Sequence, residues 1–170
     1  MQIEKISSLF NVTRLTEGDV DEMLQLCSRQ TVYYRHCPPF VTRQSLIDDL
    51  HALPSGKTFE DKYYLGLWQD DVLVAMLDLV LKYPDERTAF IGFFMMNVDF
   101  EGRGTGSAII EQLVGYLKQC GFRYVRLGYV KGNEQSRHFW TKNKFAEVGI
   151  SVEKPQYTVV VLQRRIHQAK

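Results

Sequence analysis

Apolar residues recur at two different spacings along the chain, and the switches between them mark its elements. Val20, Met23, Leu24 and Cys27 fall three or four apart, as do Leu46, Ile47, Leu50 and Leu53, and later Ile109, Ile110, Leu113 and Leu117. Each set makes one stripe on a helix. Between the second and third stripes the pattern changes. Tyr63 to Trp68, Val72 to Tyr83 and Thr88 to Val98 are strand-like runs, separated by Gln69-Asp70-Asp71 and by Pro84-Asp85-Glu86-Arg87. They predict an antiparallel meander.

Polar residues, prolines and glycines set the boundaries. A short first strand from Leu9 to Leu15 gives way to Thr16 and Asp19, which offer N-cap chemistry to a helix expected to end near Tyr33. Pro38-Pro39 forbid helix continuation, so Tyr33 to Phe40 reads as a connection carrying aromatic and basic side chains. Thr42 caps the second helix, and Pro54-Ser55-Gly56 stops it. The third runs from about Thr105 to Cys120 and is closed by Gly121, placed for a left-handed cap. Tyr124 to Val130 is another strand, and Asn133 is a good N-cap for a helix to about Asn143. Ala146 to Val152 and Gln156 to Gln163 close the chain as a hairpin. The order is strand, two helices, three strands, helix, strand, helix, two strands. That is one mixed α/β (α+β) domain over residues 1–170, not a repeated βαβ array.

Composition narrows the function classes. With 45% hydrophobic residues in 170, the chain can bury a continuous core without disulfides or a structural metal. Its net charge is +1 and its basic residues are scattered, so no stripe argues for nucleic acid; Arg164-Arg165-Ile166-His167-Gln168-Ala169-Lys170 reads as a solvated tail. Cys27, Cys37 and Cys120 are odd in number and share no close spacing with a histidine. Reduced thiols and no metal are therefore expected. No basic region followed by an apolar run opens the sequence, and no stretch approaches the roughly 20 apolar residues that span a membrane. A soluble, cytoplasmic protein is the expectation.

The candidate chemistry sits at Asn97-Val98-Asp99-Phe100-Glu101-Gly102-Arg103-Gly104-Thr105-Gly106-Ser107, where a strand ends, glycines crowd the turn and an amphipathic helix begins. Amides at a helix start lack intrahelical partners, and the helix dipole adds roughly 0.3–1 kcal/mol per anionic contact. Glu101, Gly102, Arg103, Gly104, Thr105, Gly106 and Ser107 thus form a candidate cradle for phosphates. A Rossmann fingerprint fails, because it needs glycine where Ser107 or Ile109 stands, and no Gly-Lys-Ser/Thr follows to make a Walker loop.

In this element order, Glu101-Gly102-Arg103-Gly104-Thr105-Gly106 resembles the acyl-CoA pyrophosphate motif of the GNAT superfamily of N-acyltransferases, Gln/Arg-x-x-Gly-x-Gly/Ala. The run Asn133-Glu134-Gln135-Ser136-Arg137-His138-Phe139-Trp140-Thr141-Lys142-Asn143-Lys144-Phe145 resembles that family's Asn-x-x-Ala-x-x-Phe-Tyr-x-x-x-Gly-Phe segment. The resemblance covers Leu9 to Gln163 and is sharpest from Phe90 to Phe145. It implies a central, mostly antiparallel mixed sheet flanked by helices, with the fourth and fifth strands splayed. The pantetheine arm of acetyl-CoA would lie in that opening, along the backbone of Phe94, Met95 and Met96. Amides from Gly102 to Gly106 would hold the pyrophosphate, Asn133 would bond the arm, and Ser136 with Trp140 would line the far wall. The acceptor would meet the connection bearing Tyr33, Tyr34, Arg35 and His36; the alternative is a surface loop with two prolines and buried rings. Many family members dimerise, and exposed strand edges would permit a homodimer.

Departures from the family pattern bear on mechanism. Glu101 replaces the usual Gln or Arg and is expected to turn outward. Trp140 stands where many members carry a tyrosine that protonates the leaving thiolate, and an indole N–H has no useful acidity. Lys144 replaces a glycine, which reads as a local loop change. The strand positions where the family often places a glutamate base hold Phe90 and Gly128. Neutralising a lysine-like amine of pKa about 10.4 at pH 7 costs roughly 4.6 kcal/mol, against roughly 1 kcal/mol for an α-amino group near 7.8. A site without a strong base suits a less basic acceptor, or passes the proton through water to a more distant group.

Tyr129, beside the splay, is a candidate to donate to the leaving sulfur or orient water; the alternative is a packed ring with its hydroxyl satisfied. Asp78, within Ala75-Met76-Leu77-Asp78-Leu79-Val80, either points at the cleft and attracts an amine cation or faces solvent. His138 is expected on the solvent side, and Cys120 ends a helix far from the cleft. No Ser or Cys nucleophile stands with a paired His, so direct transfer is favoured. The expected activity is acetyl-CoA-dependent N-acetyl transfer to a small-molecule or peptide amine. The alternatives are a CoA-binding sensor or interaction module without catalysis, and a cradle for another phosphorylated ligand on a shared fold.

Overall fold

The computed structural model describes residues 1–166. Strands β1 (Asn11–Arg14), β2 (Lys62–Gln69), β3 (Val72–Leu81), β4 (Thr88–Met96), β5 (Tyr124–Val130), β6 (Ala146–Glu153) and β7 (Thr158–Arg165) form one sheet in the order β1-β2-β3-β4-β5-β7-β6. Every neighbouring pair is antiparallel except β4 and β5. The helices are α1 (Val20–Ser28), α2 (Thr31–His36), α3 (Arg43–His51), α4 (Thr105–Gln119) and α5 (Glu134–Lys142). The mixed α/β architecture with helices flanking a mostly antiparallel sheet is as the sequence predicts.

Alternation along the strands divides the core in two. Leu77, Leu79, Ile91 and Leu127 pack with Ile109, Ile110 and Leu113 of α4, while Met76, Tyr64 and Met95 pack on the other side with Met23 and Leu26 of α1 and Leu46 of α3. One irregularity matters for the site. Leu79 pairs with Ile91 but Asp78 pairs with Phe93, so Gly92 is an extra residue that bulges out of β4. The bulge reverses the parity of the strand: Ala89 and Ile91 face the α4 side before it, Phe94 and Met96 after it. β4 pairs with β5 only from Thr88↔Tyr124 to Ile91↔Leu127. Beyond those four pairs the strands part, which is the predicted splay.

Three expectations need correction. The first helix ends at Ser28, and the stretch read as a connection contains α2; Gln30 interrupts the helix and Pro38 ends the second segment after Cys37. Arg164 and Arg165 belong to β7, not to a solvated tail. Arg164 donates to both carboxylate oxygens of Glu111 at 2.7 and 2.9 Å, and the Ile166 N–H donates to the Arg123 carbonyl at 2.7 Å; the remainder of that expected tail, residues 167–170, lies outside the described residues. Lys144 is no loop change. It sits at φ +67°, the left-handed conformation in which its N–H reaches Thr141 O and the Phe145 N–H reaches Trp140 O. The glycine-type turn is kept, at a cost of about 1–2 kcal/mol for an L-residue.

Among the described residues no helix is long and apolar enough to cross a membrane.

Candidate functional site

Where β4 ends, the Asn97 side chain ties the chain down. It donates to Leu73 O at 3.1 Å and accepts from the Asp99 N–H at 3.0 Å, starting the short 3-10 turn Val98–Phe100. Gly102 and Gly104 then take φ +73° and +79°, and a Cβ built on either would meet nothing within 4 Å. Both glycines are needed for the backbone path, not for packing. The first bond into α4 runs from the Ala108 N–H to Gly104 O at 3.0 Å, so the amides before it face out of the helix end.

That helix end, the unpaired edge of β4 and the start of α5 enclose a cavity of about 360 Å³. The cavity brings together Phe94, Met95, Met96, Glu101, Gly102, Gly104, Thr105, Gly106, Ser107, Asn133, Ser136 and Trp140 of the predicted cofactor residues, together with Tyr33. Arg103 is absent from its wall. Asn133 is buried and accepts the Ser136 N–H at 3.0 Å, the N-cap that aims α5 at the cavity. Phe94 stacks on Phe139 with centroids 5.9 Å apart, and Trp140 meets Phe94, Phe139 and Phe145 edge-on. The apolar wall is therefore a set of mutually packed aromatic rings.

Several wall residues escaped the sequence reading. Gln135, His138, Phe139 and Lys142 line the cavity. Their spacing of three, four and seven was the available signal, since it makes one face of α5. Gln30 had no such signal. Its side-chain amide donates to Met96 O and to the Glu101 carboxylate, both at 2.6 Å, joining the α1–α2 junction to the strand end and the glycine loop. Glu101 is exposed at the rim.

Tyr34, Arg35, His36 and Asp78 are not part of this wall. Tyr33 links the cavity to the opposite face of the sheet by packing edge-on against Phe93, centroids 5.7 Å apart, and against Tyr34 at 4.9 Å. Asp78 lies on that opposite face and neither reaches solvent freely nor enters the cavity. Its Oδ2 accepts from Lys62 Nζ at 3.0 Å, with side-chain exposures of 14% and 4%. Desolvation pushes the Asp78 carboxyl above its ordinary value, opposed by Lys62.

Tyr129 is buried and donates to Glu147 Oε1 at 3.0 Å, away from the cavity wall. Burial, then the Glu147 bond, raise its hydroxyl pKa. A Cβ on Gly128 would stand 2.4 Å from Val159 Cγ1, so β7 leaves no room for any side chain there. Phe90 packs edge-on against Tyr83. His138 is exposed, and Cys120 caps the far end of α4. Among the described residues no group of three or more His, Cys, Asp or Glu could hold a metal ion.

Comparison with known proteins agrees with this geometry. Among curated proteins no relative matches the chain. Among solved structures, an acetyltransferase from Thermus thermophilus superposes with a TM-score of 0.74 at 19% identity, covering 92% of this chain and 96% of that one. The spermidine N-acetyltransferase from Vibrio cholerae, solved with CoA and spermine, gives 0.70 at 15% identity over 95% and 98% of the two chains. The PaiA N-acetyltransferase from Thermoplasma acidophilum, solved with coenzyme A, gives 0.66 at 13% identity over 92% and 98%. At these identities the likeness is one of fold. Residues 21–145 match the sequence model of the Acetyltransferase (GNAT) family, more than half of the chain. With the splayed strands, the glycine loop and the family match in agreement, the chain belongs to the GNAT family of acetyltransferases.

Proposed function

We propose that this protein is an acetyl-CoA-dependent N-acetyltransferase that passes the acetyl group directly to an amine of a small molecule or peptide. The observation that carries this reading is the convergence of an unpaired strand edge, outward-facing helix amides and an aromatic wall on one cavity. The residues present fit the cofactor: the open space over Gly102 and Gly104 admits a close approach of phosphate oxygens to the amides. The two relatives solved with coenzyme A support the same assignment.

When bound, acetyl-CoA supplies the acetyl group as a thioester with an electrophilic carbonyl carbon. The amides from Gly102 to Ser107 would hold the pyrophosphate, and the free backbone groups of Phe94 and Met95 would bond the pantetheine arm. Met96 O is already taken by Gln30. Phe94, Phe139 and Trp140 exclude water along the arm, which strengthens every polar contact made there. Lys142 on the wall adds a cation for the phosphates.

A second reading, CoA binding without turnover, is favoured by the packing of Gly128 under Val159, which bars a carboxylate from that position. Calorimetry with acetyl-CoA and with ADP, followed by an assay of amine-dependent free-thiol release, separates the readings. Acetyl-CoA binding much tighter than ADP, with thiol release, is expected. Binding without thiol release for any amine would leave the non-catalytic module, and no acetyl-CoA binding would remove both.

A further inference from the structure

The chain entering the glycine loop carries two carboxylates, the wrong charge beside a cradle for phosphates. Asp99 lies in the short turn before the loop, and Glu101 lines the cavity itself. The loop's own cation, Arg103, stands off the cavity wall. A carboxylate beside a helix start opposes anion binding in two ways. It repels the phosphates, and it is itself an anion to which the outward-facing amides can donate.

Both acids are met from one place, the break between α1 and α2. Arg29 donates to the two oxygens of Asp99 at 2.7 and 2.9 Å, so that acid is balanced by a bidentate cation. Among the described residues no ion pair reaches Glu101. Its partner is neutral. Gln30 Nε2, which has two N–H groups, donates to Glu101 Oε1 and to Met96 O, both at 2.6 Å. The backbone of Gln30 is held as well: its N–H donates to Cys27 O at 3.0 Å, and its carbonyl accepts the Tyr34 N–H at 3.3 Å. Gln30 stands at the N-cap of α2, yet its side chain makes no cap bond there, which leaves the amide for the strand end and the loop.

Resting on the acetyltransferase reading above, we infer that Gln30 is a positioning residue for the cofactor: by tethering Glu101 to the end of β4, it keeps that carboxylate off the amides that receive the pyrophosphate and so sets the affinity for acetyl-CoA. Glu101 stays exposed at the rim, where the Gln30 amide holds it. Glutamate at the first position of the loop motif needs such a tether, whereas a glutamine or arginine there carries no charge that phosphates would repel. Gln30 takes no part in the chemistry of transfer. It acts through Glu101, and its effect is on binding.

The test is calorimetric titration of the whole protein with acetyl-CoA across a cycle of wild type, Gln30→Ala, Glu101→Gln and the double variant, with a melt for each. Gln30→Ala should weaken binding about tenfold, in line with the loss of a hydrogen bond to a charged group. In the Glu101→Gln background the same change should alter affinity by less than about twofold, because no carboxylate remains to be held. Salt supplies a readout that a merely structural role would not move. Between ~0.1 and ~1 M NaCl the screening length falls from ~10 to ~3 Å, and the gap between Gln30→Ala and wild type should shrink to about threefold or less. Gln30→Met keeps the length of the side chain and removes both N–H donors; it is the second variant and should behave as Gln30→Ala does. Wild-type affinity in either folded variant, a deficit that persists in the Glu101→Gln background, or one that salt leaves unchanged would overturn the inference. Failure of wild type to bind acetyl-CoA would overturn the acetyltransferase reading instead.

Discussion

Gly106 lies under the ring of Phe139: a Cβ added to the glycine would stand 3.1 Å from Phe139 Cε2. The contact joins the first turn of α4 to the wall helix α5 and sets the width of the cavity between them. Gly106→Val would push Phe139 toward the space assigned to the pantetheine arm. The expected outcome is acetyl-CoA affinity about tenfold weaker, roughly 1.4 kcal/mol, with the thermal transition close to wild type. Calorimetric titration alongside a melt checks it. Unchanged affinity in the folded variant would move the ligand out of this cavity.

Lys144 holds a left-handed conformation at φ +67° and makes only a long, exposed contact to Glu111 at 3.5 Å. Lys144→Gly relieves the backbone and loses little from the ion pair. Stability should rise by about 0.5–1 kcal/mol, or about 2–4 °C in Tm, once the extra freedom of glycine in the unfolded chain is set against the relief. A lower Tm would show that the turn is not strained.

The Arg164–Glu111 pair makes stability depend on pH in a definite direction. Arg164 hydrogen-bonds Glu111 and holds its carboxyl below the ordinary 4.5, with further pull from the charges of Arg164 and Lys144. A depressed folded-state pKa contributes stability that is fully present above the unfolded value and disappears as pH falls through the folded one. Glu111 is 45% exposed, so the contribution is reduced by solvent to about 0.5–1 kcal/mol. Glu111→Gln should therefore be less stable than wild type at neutral pH, and the gap should close below pH 4.5 in urea titrations. A gap that persists at low pH would refute this assignment.

Tyr129 donates to Glu147, itself about half exposed, and stands off the cavity wall. Tyr129→Phe should cost about 0.5–1 kcal/mol and leave amine-dependent thiol release unchanged. A tenfold fall in kcat at constant acetyl-CoA affinity would make it the acid for the leaving sulfur.

The parts of this fold legible in the sequence are those set by local chemistry. Thr42 caps α3 in a capping box with Ser45, Thr16 and Asp19 form one on the 3-10 turn Glu17–Asp19 that leads into α1 and not on α1 itself, and Gly121 closes α4 at φ +91°. The glycine loop was legible because the glycines stand between a strand-like run and an amphipathic helix and are followed, across the next strand, by the second motif from Asn133 to Phe145. Tertiary contacts wrote the rest. The break between α1 and α2 follows from where the Gln30 amide is held, by groups 66 and 71 residues away. Asp78 sat in a run apolar at every neighbouring position, Ala75-Met76-Leu77 and Leu79-Val80, so alternation could not choose its face; packing places Leu77 and Leu79 toward α4 and Met76 on the other side. Arg164 and Arg165 looked like tail charges, and only the pairing of β7 with β5 brings Arg164 to Glu111.

The short run of parallel pairing between β4 and β5 has a mechanical consequence. The sheet is two plates, four strands and three strands, riveted along a seam of four residue pairs. A molecule filling the opening grips both plates at once and works as a brace across that seam. Amide exchange along the open halves of β4 and β5 should then slow together on binding, as one hinge stiffening, while β1, at the far margin of its plate, keeps its own pace.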